Sequence, residues 1–356
     1  MNKKIAVVCN YALNPNRIGG MDRFYVAYDT QAKQLGYTID WYFLEYKPFD
    51  FYSELTIFSA NNKSVEAFFL EKVQQGDLHY DVLVTHFLGL CTSFFKQAKA
   101  KGVQKTIVVD HNPRPLEGFP LSKILKNKIK GFLYSKHIDQ FIGVSEYTRQ
   151  HILKDYGFFL DKKTSVIFNG IDSSVFVKRS QENQNKFVVS SHLRPSKGIQ
   201  DLIKAVAFLE DNIKNQIQID VYGEGPYATE LLEMTKASAL EEIIHFKGGS
   251  SRLNELLSHY RYLLQPTYME CFSLSILESL AANVPVITTP VGGNMEIIQH
   301  NQNGFIFEPK DYLALADILK NIVLENLKID NDVSLQIEND FNLEKMVSEH
   351  IGLLRG

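Results

Sequence analysis

The chain has 356 residues, of which 45% are hydrophobic and 22% are charged, and its formal net charge at pH 7 is -3. This length and composition indicate a soluble globular protein with about two domains of ordinary size. The slightly negative charge argues against a dedicated nucleic-acid-binding protein, which is usually strongly basic, so no nucleic-acid partner is expected.

Cellular compartment is indicated by the start of the chain and by its cysteines. The opening MNKKIAVVCNY contains an apolar run too short for the core of a signal peptide, and it fits a first β-strand better. No apolar run approaches the length needed to cross a bilayer. The cysteines lie far apart without a C-x-x-C motif, which favours reduced thiols, and the histidines show no metal-ligand spacing. A cytoplasmic protein without a metal site is therefore expected.

The first half of the chain alternates short β-branched runs with amphipathic stretches. Strands are predicted at residues 5–9, 38–43, 81–85, 106–109, 141–144 and 165–167. Helical periodicity lies between several of them, at residues 22–35, 90–101, 121–136 and 146–156. This alternation is typical of a parallel sheet covered by helices. A first Rossmann-like domain is therefore predicted over residues 1–176.

A polar stretch at residues 173–186, SSVFVKRSQENQNK, is the best linker candidate in the chain. The alternation then restarts, with strands predicted at residues 187–191, 218–222, 243–246, 262–265 and 284–288 and helices at 199–210, 226–237 and 252–259. These elements predict a second Rossmann-like domain over residues 177–340, followed by a last helix within 341–356. The simplest architecture is α/β, with a cleft between two such domains.

The groups best suited to bind a ligand are concentrated in residues 263–298. A buried strand ends at Pro266, Glu270 and an irregular Cys-Phe-Ser follow, and apolar residues then recur at helical spacing from Leu274. In an open α/β sheet, ligands bind beyond the carboxyl ends of strands, and a helix N-terminus there suits phosphate. A second carboxylate, Glu278, follows on the helix. The spacing of the two glutamates alone also fits a solvated pair on an ordinary helix.

The whole string is more specific than that spacing. It runs P-x-x-x-E, then x-F, then L-x-x-L-E-S, P-V-I and G-G-x-x-E, and it resembles the nucleotide-sugar site of the retaining GT-B glycosyltransferases of family four, the glycosyl transferases group 1. Gly19-Gly20-Met-Asp and Lys197-Gly198 match other family strings in the same order. The resemblance implies two Rossmann-like domains that face each other across a cleft, with the C-terminal helix crossing back to the first domain.

The resemblance also implies roles for individual residues. Glu278 is assigned to the ribose hydroxyls, and Glu270 with nearby backbone N–H groups to the hydroxyls of the donor sugar. The implied nucleotide-sugar contacts come from Gly19, Gly20, Arg194, Lys197, Cys271, Phe272, Ser273, Leu274 and Glu278. The family often has glycine where this chain has Cys271 and Ser273. Side chains at these two positions could narrow the sugar pocket.

The residue that contacts the diphosphate is left open between two positions. The family usually has an arginine where this chain has His192, and Arg194 lies two positions further on. Arginine suits forked contact with phosphate oxygens, whereas lysine acts as a point charge. Arg194 is the preferred replacement, and Lys197 is expected to act with it.

Three further features lie in the first half. The paired glycines Gly19 and Gly20 would let backbone approach a ligand at a helix start. His86 and His111 each follow a predicted strand. His86 is expected to bond a neighbouring carbonyl without a catalytic part. For His111 the same bond to a carbonyl is the alternative, but His111 matches the family's strand-end histidine, which the resemblance places beside the sugar near the reacting carbon.

The stretch at residues 121–136 is both basic and amphipathic. Its lysines are Lys123, Lys126, Lys128, Lys130 and Lys136, and its apolar residues are Leu121, Ile124, Leu125, Ile129, Phe132 and Leu133. A surface helix that packs its apolar stripe inward and solvates its lysines is the expected arrangement. The alternative is contact with an anionic membrane, since many family members act on lipid-linked acceptors.

The sequence therefore predicts a retaining, metal-independent glycosyltransferase of hexosyltransferase type. It would move a sugar from a UDP- or GDP-linked donor to a glycan, lipid-linked or small-molecule acceptor, in cell-surface polysaccharide synthesis. The nucleotide sugar is a co-substrate, and no cofactor is expected. The location would be cytoplasmic, or peripheral at the inner face of the cell membrane. Two alternatives stay open: a GT-B sugar-nucleotide epimerase, and a catalytically silent sugar-nucleotide-binding subunit.

Overall fold

The computed structural model describes residues 3–15, 18–61, 63–76, 78–179 and 185–355. The chain divides into two units. The first consists of Met1–Pro113, Glu117–Asn169 and Leu343–Gly356, and the second of Arg114–Leu116 and Gly170–Asn342. Residues 170–176 go with the second unit rather than the first, because the Ile171 N–H donates to the Phe341 carbonyl at 2.9 Å. Part of the predicted linker, residues 180–184, lies outside the described residues.

The first unit contains a seven-stranded sheet in the order β3-β2-β1-β4-β5-β6-β7, and its neighbouring strands are parallel. The strands are β1 Lys4–Ala12, β2 Thr38–Glu45, β3 Thr56–Ser59, β4 Val82–His86, β5 Lys105–Asp110, β6 Gln140–Gly143 and β7 Thr164–Val166. Residues 5–9 of β1 are completely buried, as expected for a central strand with helices on both faces. The order reverses between β1 and β4, which makes the carboxyl ends of these strands a topological switch point.

Five helices accompany this sheet in the first part of the chain: α1 Gly20–Gln34, α2 Val65–Gln74, α3 Ser93–Ala100, α4 Leu121–Tyr134 and α5 Glu146–Tyr156. The sequence patterns did not predict β3 or α2. β3 is a four-residue edge strand that is only partly buried, so it lacks the apolar run by which the central strands were recognised.

The second unit contains a six-stranded sheet in the order β10-β9-β8-β11-β12-β13, again parallel throughout. Its strands are β8 Lys186–Ser190, β9 Gln218–Tyr222, β10 Ile244–Gly248, β11 Tyr262–Gln265, β12 Val286–Thr288 and β13 Gly304–Ile306. Its helices are α6 Ile199–Phe208, α7 Asp211–Lys214, α8 Ala228–Ala237, α9 Leu253–Leu256, α10 Leu274–Ala281, α11 Tyr312–Val323 and α12 Leu335–Asp340. Here the switch point lies between β8 and β11, so the loops after these two strands meet at one edge.

The last helix, α13 Leu343–Gly352, belongs to the first unit and packs on α1. The His350 ring meets Phe24 edge-on, with 4.9 Å between ring centroids. Beyond the helix, Lys3 Nζ donates to the Leu354 carbonyl at 3.2 Å and Lys105 Nζ to the Leu353 carbonyl at 2.7 Å. Among the helices of the described residues, none combines the length and the apolar character needed to span a bilayer.

Candidate functional site

The loop after β8 is shaped by close backbone contacts at the switch point of the second unit. Residues Pro195–Lys197 form a 3-10 turn that ends at Gly198, whose φ is 70°. A Cβ at Gly198 would lie 1.7 Å from the carbonyl oxygen of Pro266, so the loop can approach the end of β11 only with glycine at this position. Further back, the Leu193 N–H donates to the Glu224 carbonyl at 2.9 Å. The loop that carries the predicted phosphate contacts is thereby held in place.

The two candidates for the phosphate contact, His192 and Arg194, are both exposed on this loop, with Leu193 buried between them. Arg194 stands at the start of the 3-10 turn in an extended conformation. Its guanidinium forms no ion pair with any residue that the structure describes, so its charge is available to a ligand.

Lys197 and Glu270 come together although they lie on loops after different strands. Lys197 Nζ donates to Glu270 Oε1, and the side chains are 21% and 12% exposed respectively. Because the ammonium and the carboxylate neutralise each other in part, a ligand phosphate near Lys197 would compete with Glu270 for the same charge. The sequence predicted both residues but not their ion pair.

The N-terminus of α10 follows Glu270 and is capped by Ser273. The Ser273 Oγ accepts hydrogen bonds from the Ile276 N–H at 3.4 Å and from Gln265 Nε2. This side chain is buried and bonded to its own helix. Cys271 is a free thiol of intermediate exposure.

The remaining predicted residues of this segment differ in what they offer to a ligand. Phe272 is buried against Phe341, with 5.3 Å between ring centroids, so a contact from it would come from its backbone. Leu274 opens α10, where first-turn N–H groups lack intrahelical acceptors and the helix dipole is positive. Glu278 lies one turn further along α10 and is half-buried.

A buried polar network that the sequence analysis missed supports this segment from behind. Gln265 Oε1 accepts from Thr288 Oγ1 at 3.2 Å and from Asn294 Nδ2 at 3.4 Å, while Gln265 Nε2 holds Ser273. A Cβ at Gly292 would lie 2.1 Å from the carbonyl oxygen of Glu270. The available signals were a glutamine at the end of an apolar strand and an asparagine directly after Gly-Gly.

In the first unit, the predicted loop at Gly19 and Gly20 is anchored by a buried carboxylate. The Gly19 N–H donates to Asp22 Oδ2 at 2.9 Å, and Tyr11 and Tyr52 donate their hydroxyls to the same carboxylate. Asp22 is only 1% exposed, and Gly20 opens α1. The preceding residues 16 and 17 lie outside the described part of the chain.

His86 and His111 form a buried pair at the ends of β4 and β5. His86 Nδ1 lies 2.9 Å from His111 Nε2, so one ring donates its N–H to the other. The expectation that His86 bonds a carbonyl is therefore wrong. Burial lowers the pKa of His111 to about 3 and that of His86 well below its usual value, and neighbouring histidines add to both effects. Both imidazoles are neutral near pH 7 and act as hydrogen-bonding groups, not as cations.

Most of the large apolar side chains of α4 face solvent, which is the opposite of the arrangement expected from the sequence. Five of its large apolar side chains are 48–84% exposed: Leu121, Leu125, Ile129, Phe132 and Leu133. The buried residues of the helix are Asn127 and Gly131. A Cβ at Gly131 would lie 2.2 Å from the Tyr156 carbonyl oxygen, so the helix packs through the side that carries Asn127 and Gly131. The prediction of an inward-packed stripe is wrong.

The described ranges contain no group of three or more histidine, cysteine, aspartate or glutamate side chains placed to hold a metal ion.

Both halves of the chain match models of known protein families. Residues 171–337 match the model of Glycosyl transferases group 1, and residues 18–175 match that of Glycosyltransferase Family 4. The chain belongs to the group 1 glycosyltransferases.

Two curated relatives match the chain over part of their length. The N-acetyl-alpha-D-glucosaminyl L-malate synthase of Bacillus anthracis is 28% identical over 204 residues, which are 53% of this chain and 53% of that protein. The phosphatidylinositol N-acetylglucosaminyltransferase gpi3 subunit of Schizosaccharomyces pombe is 26% identical over 244 residues, 67% of this chain and 52% of that one. The match thus spans about half the length of each relative.

A solved structure matches nearly the whole length of the chain. Anabaena HepE, in complex with UDP and glucose, superimposes with a TM-score of 0.78 at 16% identity, covering 99% of both chains. This similarity confirms the predicted GT-B fold class of two Rossmann-like α/β domains.

Proposed function

We propose that the protein transfers a sugar from a nucleoside-diphosphate sugar, UDP- or GDP-linked, to an acceptor with retention of anomeric configuration. The observation that carries this proposal is the convergence of Lys197, Glu270 and the N-terminus of α10 at the switch point of the second sheet. Cations and helix-terminal N–H groups suit a diphosphate, and carboxylates suit sugar and ribose hydroxyls. The bound UDP and glucose of the structurally similar HepE support the same assignment.

The proposed chemistry needs charge stabilisation at the leaving group. An acceptor hydroxyl oxygen attacks the anomeric carbon from the face of the leaving group, the bond from that carbon to the diphosphate oxygen breaks, and the departing phosphate takes the hydroxyl proton. Arg194, Lys197 and the N-terminus of α10 would stabilise the diphosphate, and such preorganised charge is usually the largest catalytic contribution. Glu278 would bind the ribose and Glu270 the donor sugar. His111 would contact the sugar near the reacting carbon.

Activity is expected to persist in EDTA, because the phosphates would be held by protein cations and backbone N–H groups and not by a metal. Release of nucleoside diphosphate from UDP-, GDP- and ADP-linked sugars measures both turnover and donor choice. Complete loss in EDTA with recovery in Mn²⁺ or Mg²⁺ would contradict metal-independent transfer. Interconversion of the donor sugar without transfer would indicate the epimerase, and binding without turnover the silent subunit.

We also propose that α4 contacts an anionic membrane surface, at the inner face of the cell membrane, where a lipid-linked acceptor of cell-surface polysaccharide synthesis would be available. The helix LSKILKNKIKGFLY contains no acidic residue, and its exposed apolar side chains are interspersed with lysines. Apolar side chains can enter the interface while each lysine near an anionic surface adds about 1 kcal/mol. The name of the fission yeast relative, a phosphatidylinositol N-acetylglucosaminyltransferase subunit, supports a lipid acceptor.

Vesicle binding tests the α4 surface. Replacing both Leu125 and Phe132 by serine should weaken binding to phosphatidylglycerol-containing vesicles at least about tenfold, since each buried side chain of this size contributes about 1.5–3 kcal/mol. Co-sedimentation gives the bound fraction. Phe208→Ser is the matched control, because Phe208 is 64% exposed on α6 of the second unit and should leave binding unchanged. Equal binding by all variants, or none by the unmodified protein, would contradict the membrane contact.

A further inference from the structure

His86 is packed between several elements of the first unit, beside His111. It is the last residue of β4, is paired with Val109 of β5 in the sheet register, and is only 1% exposed. Its ring meets Phe24 of α1 edge-on, with 5.9 Å between centroids. The ring of His350 from α13 lies at 6.1 Å with an interplanar angle of 24°. Packing against α1 and α13 therefore fixes the place of the His86 ring.

The ring of His350 packs on His86 without bonding to it. His350 Nδ1 lies 2.9 Å from the Met346 carbonyl oxygen, and because a carbonyl oxygen only accepts, this nitrogen carries the proton. His350 Nε2 is buried and makes no hydrogen bond within the described part of the chain. The hydrogen bond of His86 to a neighbouring ring is therefore the one to His111, where His86 Nδ1 and His111 Nε2 are 2.9 Å apart.

This hydrogen bond links the tautomers of the two rings. A neutral imidazole has one N–H donor and one acceptor nitrogen, so only one of the two facing nitrogens carries a proton. If His86 Nδ1 donates, the proton of His111 lies on its Nδ1. If His111 Nε2 donates instead, His111 Nδ1 is an acceptor. The state of His86 therefore decides whether the second nitrogen of His111 can donate a hydrogen bond or accept one.

The plane of the His111 ring is restrained separately. Phe87 stacks on this ring with 4.3 Å between centroids and an interplanar angle of 22°. The φ of Phe87 is 59°, a conformation that bulky residues rarely adopt and that persists only where the surroundings impose it. Phe87 thus restrains the face of the imidazole and His86 its edge. Restraint on both is what a group needs if it is to meet a reacting carbon in one orientation.

We propose that His86 is a positioning residue, which sets the tautomer and the orientation of His111 through this hydrogen bond. The inference rests on the proposed function in one respect, that His111 contacts the donor sugar near its reacting carbon. A histidine that only filled the core could be replaced by an apolar side chain of similar size without any change in His111. A positioning histidine needs a polar group where its Nδ1 lies. The amide of asparagine reaches nearly that position and can donate or accept, so His86→Asn and His86→Leu separate the two roles.

Nitrogen NMR of the protein with isotopically labelled histidine tests the link without any ligand, because the shifts of imidazole nitrogens distinguish protonated from unprotonated ones. In the unmodified protein, His111 should populate a single tautomer, with only one of the two facing nitrogens protonated. In His86→Leu it should populate both tautomers, and in His86→Asn a single one again. His350→Phe is the matched control, since it keeps a ring against His86 and should leave the tautomer of His111 unchanged.

Two results would overturn the proposal. The first is a mixture of His111 tautomers in the unmodified protein, a measurement that does not depend on whether any variant folds. The second is an unchanged single tautomer of His111 in His86→Leu.

Steady-state kinetics adds a readout that a purely structural role would not produce. His86→Leu should lower kcat at least about tenfold with little change in KM for the donor, because a misplaced His111 loses a hydrogen bond in the transition state. His86→Asn should recover kcat to within about threefold of the unmodified protein. Equal kcat in His86→Leu and the unmodified protein, or equal losses in both variants, would contradict positioning. Absence of transfer by the unmodified protein would contradict the proposed function instead, while NMR would still decide whether His86 sets the tautomer of His111.

Discussion

Arg194→Ala is expected to lower kcat for sugar transfer by about 10²- to 10³-fold, the usual loss when one donor that stabilises developing charge is removed. The guanidinium is permanently charged and can make forked contacts to phosphate oxygens. In the structure it is exposed on the loop after β8 without an ion-pair partner among the described residues, so its removal leaves no buried charge behind. His192→Ala should have a small effect. Steady-state kinetics on the two variants with one donor gives the comparison.

Arg194 provides a cleaner test than Lys197. Lys197→Ala would also remove the partner of the Glu270 carboxylate, which is only 12% exposed, so its effect would combine a lost phosphate contact with an unpaired charge. Arg194→Lys should recover part of the activity, because a point charge replaces the fork. If His192→Ala is severe and Arg194→Ala mild, the phosphate contact belongs to His192.

Glu278→Gln is expected to weaken binding of both the donor and the free nucleoside diphosphate by about 10- to 150-fold, with a much smaller change in kcat. Hydrogen bonds to an ionised group contribute about 1.5–3 kcal/mol, and glutamine keeps the shape but loses the charge. A contact to the ribose exists before, during and after transfer, so it contributes uniform binding and affects mainly KM. Calorimetry with nucleoside diphosphate measures the loss directly.

Glu270→Gln is the matched control for this prediction. Its proposed partner is the donor sugar, so donor use should suffer while binding of the free diphosphate stays near normal. The ion pair with Lys197 also predicts the sign of any change in diphosphate affinity. Because an uncharged glutamine at position 270 no longer neutralises Lys197, the lysine can interact more strongly with the phosphates. Any change should therefore be towards tighter binding of the free diphosphate. Equal affinity of the unmodified protein and Glu278→Gln for nucleoside diphosphate would remove the ribose assignment.

The strands that were predicted best are those whose apolar sequence pattern matches their burial in the sheet. β9 and β11 have the predicted bounds: β11, YLLQ, is a short apolar run buried throughout, and β9, QIDVY, is buried at its three central residues. The edge strand β3 and the three-residue β13 carry too little of that pattern to be recognised. Helical periodicity located α4 but not its orientation, since it shows that an apolar face exists and not whether anything covers it.

Local sequence patterns also did not predict which residues of the candidate site contact each other. The sequence motifs identified Lys197, Glu270 and Ser273 individually, yet the ion pair of the first two depends on β8 lying beside β11. The Ser273 hydroxyl also accepts a hydrogen bond from Gln265, which lies at the end of β11. Likewise, the His86–His111 pair forms because β4 and β5 are neighbours in the sheet. Partnerships between strand ends follow from sheet order, which local patterns do not determine.

Helix α13 has a consequence for how the protein is made. It is translated after the second unit, yet it packs on α1, and the residues that follow it accept hydrogen bonds from Lys3 and Lys105 of the first unit. Domains fold as units during synthesis, and the N-terminal one usually folds first. Here the second unit, Gly170–Asn342, is complete in the nascent chain before the first unit receives its final helix. A ribosome stalled before Leu343 would therefore carry a chain in which α13 does not cover Phe24. Such exposed apolar surface is a binding site for chaperones and a starting point for aggregation.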